Sequence, residues 1–274
     1  MKEKRVDLHI HTNISDGSWD VEKLLEVIKR KKINIFSITD HDDLKNVIKM
    51  SQQELPDDIK FLKGVEVSTT LDRKEFHLAA YNINLEDDQL KELLKKNRKI
   101  RKEFNKSIIK YFEKTNNLEL MNEYYDYKHD NNRGGWKALN FLIDKRLVND
   151  LEDFFIKISN MSEEMVFLHP EKAIKVIHQA GGFAFLAHPA SYYNGELLTR
   201  DFLKEWVALG IDGIEAYSPY LNQLKDAQYY IDFCKENDLM YSTGSDCHGA
   251  FIKDRKVGKP EVYLKDINID KLLK

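Results

Sequence analysis

Two histidines one residue apart, His9 and His11, close a short apolar run that leads in from Val6, and Asp16 follows in the turn Ser15-Asp16-Gly17. In an extended strand alternate side chains share a face, so the two imidazoles point the same way. Two nitrogen donors on one face, at a strand end, can grip one metal ion. Similar residues recur beside other apolar runs. His41 follows residues 33–39, Glu66 lies in 61–68, His77 begins 76–83, His188 follows 183–187, and Asp246 and His248 follow 240–244. Imidazoles and carboxylates suit Mn, Zn or Fe better than Mg or Ca. Nine donors exceed the needs of one ion, so two or three divalent ions sharing a bridging carboxylate are expected. Such a cluster binds two oxygens of a phosphate, lowers the pKa of a bridging water and stabilises charge on the attacking and leaving oxygens. Phosphate ester hydrolysis is the chemistry this points to.

The elements that must position these donors alternate along the chain. Residues 5–11, 33–39, 61–68 and 76–83 read as strands. Asp20 caps a helix over 21–31, with Val21, Leu24, Leu25 and Ile28 on one face, and a second helix over 44–54 stops before Pro56. This rhythm predicts βα units around a parallel sheet, with the donors at the rim where such folds build active sites. From Glu86 the texture changes. A long Lys-rich helix over 87–114 and shorter helices over 120–126, 136–145 and 151–158 predict a helical insertion spanning 86–165, flanked by a barrel made of 1–85 and 166–274. Alternation then resumes. Helices are expected at 170–179 (with Pro170 in the first turn), 201–209, 221–237 and near Asp270; strands at 183–187, 213–217, 240–244 and 261–264.

Composition narrows the class. The chain has 274 residues, 42% of them hydrophobic, enough for a large core. Its 43 basic and 46 acidic residues leave a formal charge of −3, so no global field recruits nucleic acid or an anionic membrane. Two cysteines, Cys234 and Cys247, make no disulfide framework and suit a reducing compartment. No apolar run reaches the roughly 20 residues of a membrane span. The leading residues, from Met1 to Arg5, carry no apolar stretch of a signal peptide. A cytoplasmic protein with no membrane association and no obligate protein partner is expected.

The motifs His9-Ile10-His11 with Ser15-Asp16-Gly17, Thr39-Asp40-His41-Asp42, Gly64-Val65-Glu66-Val67-Ser68, His77-Leu78, Ala187-His188-Pro189 and Gly244-Ser245-Asp246-Cys247-His248-Gly249 stand in a specific order. In that order they resemble the PHP (polymerase and histidinol phosphatase) family, over roughly residues 5–83 and 180–250. The resemblance implies a distorted, TIM-like (β/α)7 barrel with a trinuclear metal centre. It assigns His9, His11, Glu66 and Asp246 to a first ion. Glu66 would bridge to a second, completed by His77 and His188; Asp16, His41 and His248 would hold a third. Asp246, His248 and Glu66 are the expected catalytic residues, with a metal-bound hydroxide as attacking group.

Within the family the chain is most similar to single-domain phosphoesterases of nucleotides and short oligonucleotides. Members acting on nucleoside 3′,5′-bisphosphates often carry Gly-Arg-Pro-His and then Arg in the insertion. Here that stretch reads Arg133-Gly134-Gly135-Trp136-Lys137-Ala138-Leu139-Asn140, without the second arginine. Arg133 and Lys137 are the expected phosphate-binding residues, and Trp136 could stack on a base or simply pack. Tyr192, Tyr193, Asn194, Arg255 and Lys259 could line the rim. Asp40, Asp42 and Asp43 read as turn and capping residues, with Asp40 or Asp42 able to orient a ligand. Cys247 should face away from the metal, and the Lys-rich helix reads as a solvated face rather than an RNA-binding one. His129, His169 and His178 read as structural. The rival functions are a histidinol-phosphate phosphatase and a non-catalytic metal-binding regulatory domain.

Overall fold

Among the described residues, seven strands in chain order form one sheet that curls into a nearly closed barrel. The computed structural model describes residues 3–274; Met1 and Lys2, the start of the leading segment, lie outside the described residues. The first half runs β1 (Val6–Asp7), α1 (Val21–Lys31), β2 (Ile35–Ile38), α2 (Lys45–Ser51), β3 (Lys60–Leu71) and β4 (Lys74–Tyr81). Next come α3 (Asp88–Asn116), α4 (Met121–Asp126), α5 (Lys137–Asp144) and α6 (Leu151–Ile158). The second half runs α7 (Pro170–Gln179), β5 (Phe183–Leu186), α8 (Arg200–Leu209), β6 (Gly213–Tyr217), α9 (Ala227–Glu236), β7 (Met240–Thr243) and α10 (Asp270–Leu273). Asp20 caps α1 by accepting from the Lys23 amide at 2.8 Å, and Pro170 opens α7, as their sequences predict.

The sheet departs from the parallel expectation at one strand. β4 pairs antiparallel with both β3 and β5, while the remaining pairs are parallel. β3 and β4 form a hairpin whose two turn residues, Asp72 (φ 48°) and Arg73 (φ 65°), both adopt left-handed backbone, the conformation that suits a two-residue hairpin. Reversal of β4 explains why His77 stands at the beginning of its strand. The start of an antiparallel strand lies at the same rim as the ends of its parallel neighbours.

Side chains alternate between two apolar layers with a period of two. In β4, Leu78 and Ala80 join the outer core under the helices, while Ala79 and Tyr81 join Leu62 of β3 and Phe185 of β5 in the barrel interior. Toward the rim the inward positions turn polar: Glu66, His77 and Glu215.

β1 and β7 meet at the one seam that no continuous ladder closes. Near the rim, single bonds tie it: Leu8 N to Thr243 O at 3.0 Å and His11 N to Cys247 O at 2.9 Å. Lower down, the chain's tail takes the place of direct pairing. Val262 O accepts from Val6 N at 3.1 Å, and Asn268 exchanges two 3.0 Å bonds with Tyr241. The strand expected at 261–264 is therefore absent. Tyr263 makes one isolated bridge with Arg5, and Leu264–Asp266 is a short 3-10 turn. Covering both strand edges with a short irregular segment satisfies backbone groups that would otherwise be open.

Other bounds differ as well: β1 spans only Val6–Asp7 of the expected 5–11, and α2 ends at Ser51. The helix expected over 221–237 begins only at Ala227, because Gln223 and Asp226 cap a 3-10 turn before it and Tyr220 is held at the rim. α3 also has two allegiances. Leu90, Leu93 and Leu94 pack in the barrel's outer core, whereas Ile108, Ile109 and Phe112 pack with α4, α5 and α6 in a separate cluster.

Candidate active site

All nine predicted donors converge at the rim, and Glu66 is their centre. It is fully buried on β3. Its Oε2 lies 3.3 Å from His9 Nε2, 3.2 Å from His11 Nε2 and 3.1 Å from His41 Nδ1. Its Oε1 lies 3.0 Å from His77 Nδ1 and 2.8 Å from His188 Nε2. Asp246 Oδ1 stands 3.0 Å from His11 Nε2 and 3.6 Å from His9 Nε2. Asp16 reaches the other side of His11 at 3.5 Å, His41 at 3.7 Å and His248 at 3.4 Å.

Four of the imidazoles have one nitrogen aimed into this cluster and the other held from outside. His9 Nδ1 is 2.7 Å from Glu215 Oε2, and His77 Nε2 is 2.9 Å from Glu75 Oε1. His188 Nδ1 is 2.8 Å from Ser191 Oγ, and His248 Nδ1 donates to the Asp246 carbonyl at 2.7 Å. The outer partner orients each ring so that the inward nitrogen is the one a metal ion would take in place of its proton, the arrangement by which proteins orient metal-ligating histidines.

Glu215, Glu75, Ser191 and Tyr220 are site residues that motif reading passes over. Glu215 carries a signal all the same. An acid in the middle of a five-residue buried strand must have a partner. Arg101 is hidden more deeply, in the Lys-rich helix. That helix turns one face inward: Asn97 donates to Asp42 at 2.7 Å, and Arg101 donates to Glu75 at 2.8 Å and reaches Asp42 at 3.4 Å. Arg101 thus stands behind Glu75, which stands behind His77.

Local structure places the rest. Asp40 accepts from Thr12 N at 2.7 Å and from Ser15 Oγ at 2.6 Å, which folds the loop carrying Asp16. Asp42 accepts from Ser68 N at 3.1 Å, tying the His41 loop to β3, and Asp43 accepts from Lys45 N at 2.9 Å at the head of α2. Gly244 is required because a Cβ there would come within 2.1 Å of His9 Cβ. His188 (φ 29°) and Asp246 (φ 46°) hold left-handed backbone that costs about 1–3 kcal/mol each. Cys247 points away into the apolar core, as alternation requires.

Charge at the site is lopsided. Burial works against ionisation of Glu66, yet His9, His41 and His77 hold its carboxyl well below the usual range. Asp16 and Asp246 are held low in the same way by surrounding imidazoles, against the same cost. To balance these acids, His11 and His77 are pushed up to about 10 despite burial, through Asp246 and Glu66 for His11 and through Glu66 for His77. Burial drives His41 the other way, well below its usual value. Asp16 Oδ1, His41 Nδ1, Glu66 Oε2 and His77 Nδ1 are buried without a hydrogen-bond partner. Converging, unpartnered donors around ionised carboxylates fit divalent cations, which supply positive charge and occupy lone pairs together. Three overlapping groups have that geometry: His9, His11, Glu66; His41, Glu66, His77; and His11, Asp16, His41, His248.

The cluster forms the floor of a cavity of about 360 Å³, also lined by Glu75, Ser191, Tyr192, Tyr220 and Arg255. Arg255 donates to Asp246 Oδ2 at 2.6 Å, Tyr220 donates to the same oxygen, and the guanidinium lies 4.7 Å over the Tyr220 ring. Arg133 and Lys137 are not brought to this cavity. Arg133 pairs with Asp144 at 2.8 and 2.9 Å, and Lys137 donates to the Tyr125 carbonyl at 3.3 Å. Of the remaining histidines, His169 caps α7, His178 pairs with Asp212 at 2.8 Å, and His129 lies 3.5 Å from Asn140.

Known proteins share this architecture. The chain is 26% identical to a 5′-3′ exoribonuclease of Haemophilus influenzae, over 89% of this chain and 90% of that one. It is 26% identical to a 3′,5′-nucleoside bisphosphate phosphatase of Chromobacterium violaceum, over 93% and 91%. An amidohydrolase from Chromobacterium violaceum, solved with sulfate and without metal, superposes with a TM-score of 0.75 at 25% identity, covering 89% of this chain and 87% of that one. A solved structure from Bifidobacterium adolescentis shares the fold with a TM-score of 0.71 at 18% identity, covering 98% and 93%. The PHP domain profile matches residues 7–165, more than half of the sequence. With that match joined to a seven-stranded barrel whose rim gathers the motif residues, the chain belongs to the PHP domain family.

Proposed function

We propose that the nine rim residues hold two or three divalent transition ions, Mn, Zn or Fe, and that the protein hydrolyses a phosphate ester of a nucleotide, either a 3′,5′-bisphosphate or a short oligonucleotide. The observation that carries this reading is the set of outer-held imidazoles, His9, His77 and His188, whose inward nitrogens meet at Glu66. Names of relatives that act on nucleoside bisphosphates and RNA support the substrate class. His9, His11, Glu66 and Asp246 are assigned to one ion, Glu66, His77 and His188 to a second, and Asp16, His41 and His248 to a third.

When bound, such ions polarise the phosphoryl oxygens and make a water nucleophilic near neutral pH. The chain's own groups do the rest. Glu66 presents both carboxylate oxygens to the cluster. Asp246 stays an ionised acceptor because, against its burial, His248, His11 and His9 hold its carboxyl low, and it accepts from both Tyr220 and Arg255 through Oδ2. His248, with Nδ1 fixed on a carbonyl, turns Nε2 toward Asp16 and is held to offer that nitrogen to an ion. Arg255 is the guanidinium placed to hold a phosphate oxygen, since Arg133 and Lys137 are engaged elsewhere. The separate apolar cluster around α4 to α6 supports reading 86–165 as a helical insertion subdomain. Among the described residues no helix is long and apolar enough to cross a membrane. With two buried free cysteines, this supports a cytoplasmic location.

The test is a substrate panel on metal-reconstituted protein, with elemental analysis of the same sample. Phosphate release from nucleoside 3′,5′-bisphosphate or short RNA, with two or three ions per chain, is expected. Preferential release from histidinol phosphate would overturn the substrate class, and no release from any ester would leave a metal-binding regulatory domain.

A further inference from the structure

Across from the cluster, the cavity wall is made of apolar side chains. Trp136, Leu151 and Phe155 come from the helical insertion, and Phe251 and Ile252 follow His248. Phe155 remains 53% exposed while the adjacent Phe154 is buried. The Trp136 ring stands edge-on to Phe154 at 5.3 Å and tilted against Phe155 at 6.0 Å, centroid to centroid.

This wall is fixed to the floor. Gly135 N donates to the backbone carbonyl of Asp16 at 2.7 Å. Gly134 (φ 75°) and Gly135 (φ 70°) adopt backbone that favours glycine, and a Cβ on them would come within 2.4 and 2.9 Å of Phe251. The Gly-Gly-Trp loop is therefore shaped to lie on Phe251, directly beside the loop that carries Asp16. Besides the histidines, the cation lining the cavity is Arg255, which Asp246 holds on the floor side, where the phosphate would lie. A charged group pressed against the wall would lose water without gaining a partner. A planar ring would gain dispersion contact on both aromatic side chains.

Given the nucleotide phosphoesterase reading above, we propose that Trp136 and Phe155 form a stacking platform for the substrate's nucleobase while its phosphoester lies on the metal cluster. Stacking on a π-face tolerates any base, so the platform selects for a ring and not for a sequence.

The test compares adenosine 3′,5′-bisphosphate with its abasic analogue on metal-reconstituted protein. Phe155→Ala, at an exposed position, and Trp136→Ala should each raise KM for the adenosine ester about tenfold. KM for the abasic ester and kcat for both should stay within about twofold. A second readout needs no turnover. Adenosine 3′,5′-bisphosphate should quench tryptophan fluorescence of the wild-type protein, and Trp136→Phe should remove the quenching although Trp19 and Trp206 remain. Equal KM changes on both esters, or quenching that survives Trp136→Phe, would overturn the platform. If the wild-type protein hydrolyses neither ester, the nucleotide reading fails, and the quenching experiment alone decides whether the wall binds a base.

Discussion

On the cavity floor, His9, His77, His188 and His248 each hold an outer partner through one ring nitrogen and face the cluster with the other. On the wall of the same cavity, Trp136 and Phe155 pack against Phe154 and one another through ring faces and edges. The floor is directional. Its charges are buried, and each depends on a named atom at a named distance. The wall is made of dispersion contacts that accept many shapes. Floor substitutions should therefore abolish chemistry and metal binding together, and wall substitutions should change affinity in proportion to the ring surface lost.

The strongest way to break this contrast is Glu66→Ala. It should lower phosphate release roughly a thousandfold or more and strip metal in the same sample, read by a phosphate assay and elemental analysis. Activity that survives the change would mean Glu66 is not the centre of the floor. Next is Glu215→Ala, which leaves all nine donors in place and removes only the partner of His9. Metal affinity should fall about 10–100-fold, measured by chelator competition, with Glu215→Gln recovering part of it. An unchanged affinity would show that outer partners do not organise the floor.

A pH experiment sharpens the comparison. Burial opposes ionisation of Glu75, but Arg101 and His77 hold its carboxyl down from 4.5 to about 2. Because this value is depressed in the folded state, its stabilisation is complete above the unfolded value near 4.5 and is lost as pH falls from there toward 2. In chelated protein, Glu75→Gln should cost on the order of 3 kcal/mol at pH 7, and the gap should close across that acid window. Urea unfolding at several pH values reads it; a gap independent of pH would reduce Glu75 to a neutral hydrogen-bonding role. The smallest effect is expected at Arg133, whose partner Asp144 is itself exposed. Arg133→Ala should change stability by about 0–1 kcal/mol and leave KM unaltered. A large rise in KM would return phosphate binding to the insertion loop and take it from Arg255.

Much of the floor is legible in the sequence because donor type and strand-end position are local properties. All nine predicted donors meet at one rim, α6 and α7 have the predicted bounds, and Cys247 faces the core. What escaped is what sequence distance conceals. The hairpin joining β3 to β4 turns on Asp72 and Arg73 without the glycine that usually advertises such a turn, so the reversal of β4 was hidden. Arg101 is one of many basic residues in α3, and nothing in its neighbours distinguishes it from those facing solvent. Arg133 lies in the predicted phosphate-binding stretch, but its partner Asp144 is set by how α5 folds back.

The amino-acid sequence by itself determines the chemical inventory, imidazoles and carboxylates in numbers and positions suited to several cations, and the alternation that sends them to one end of a barrel. Tertiary structure alone decides the partners: Glu215 behind His9, Arg101 behind Glu75, Tyr220 and Arg255 on Asp246, and an aromatic wall beside the loop that carries Asp16. Periodicity is read from neighbours three or four residues away. A hydrogen bond between residues a hundred or more apart, such as His188 to Glu66, exists only after the whole sheet has closed and packing has selected which side chains meet.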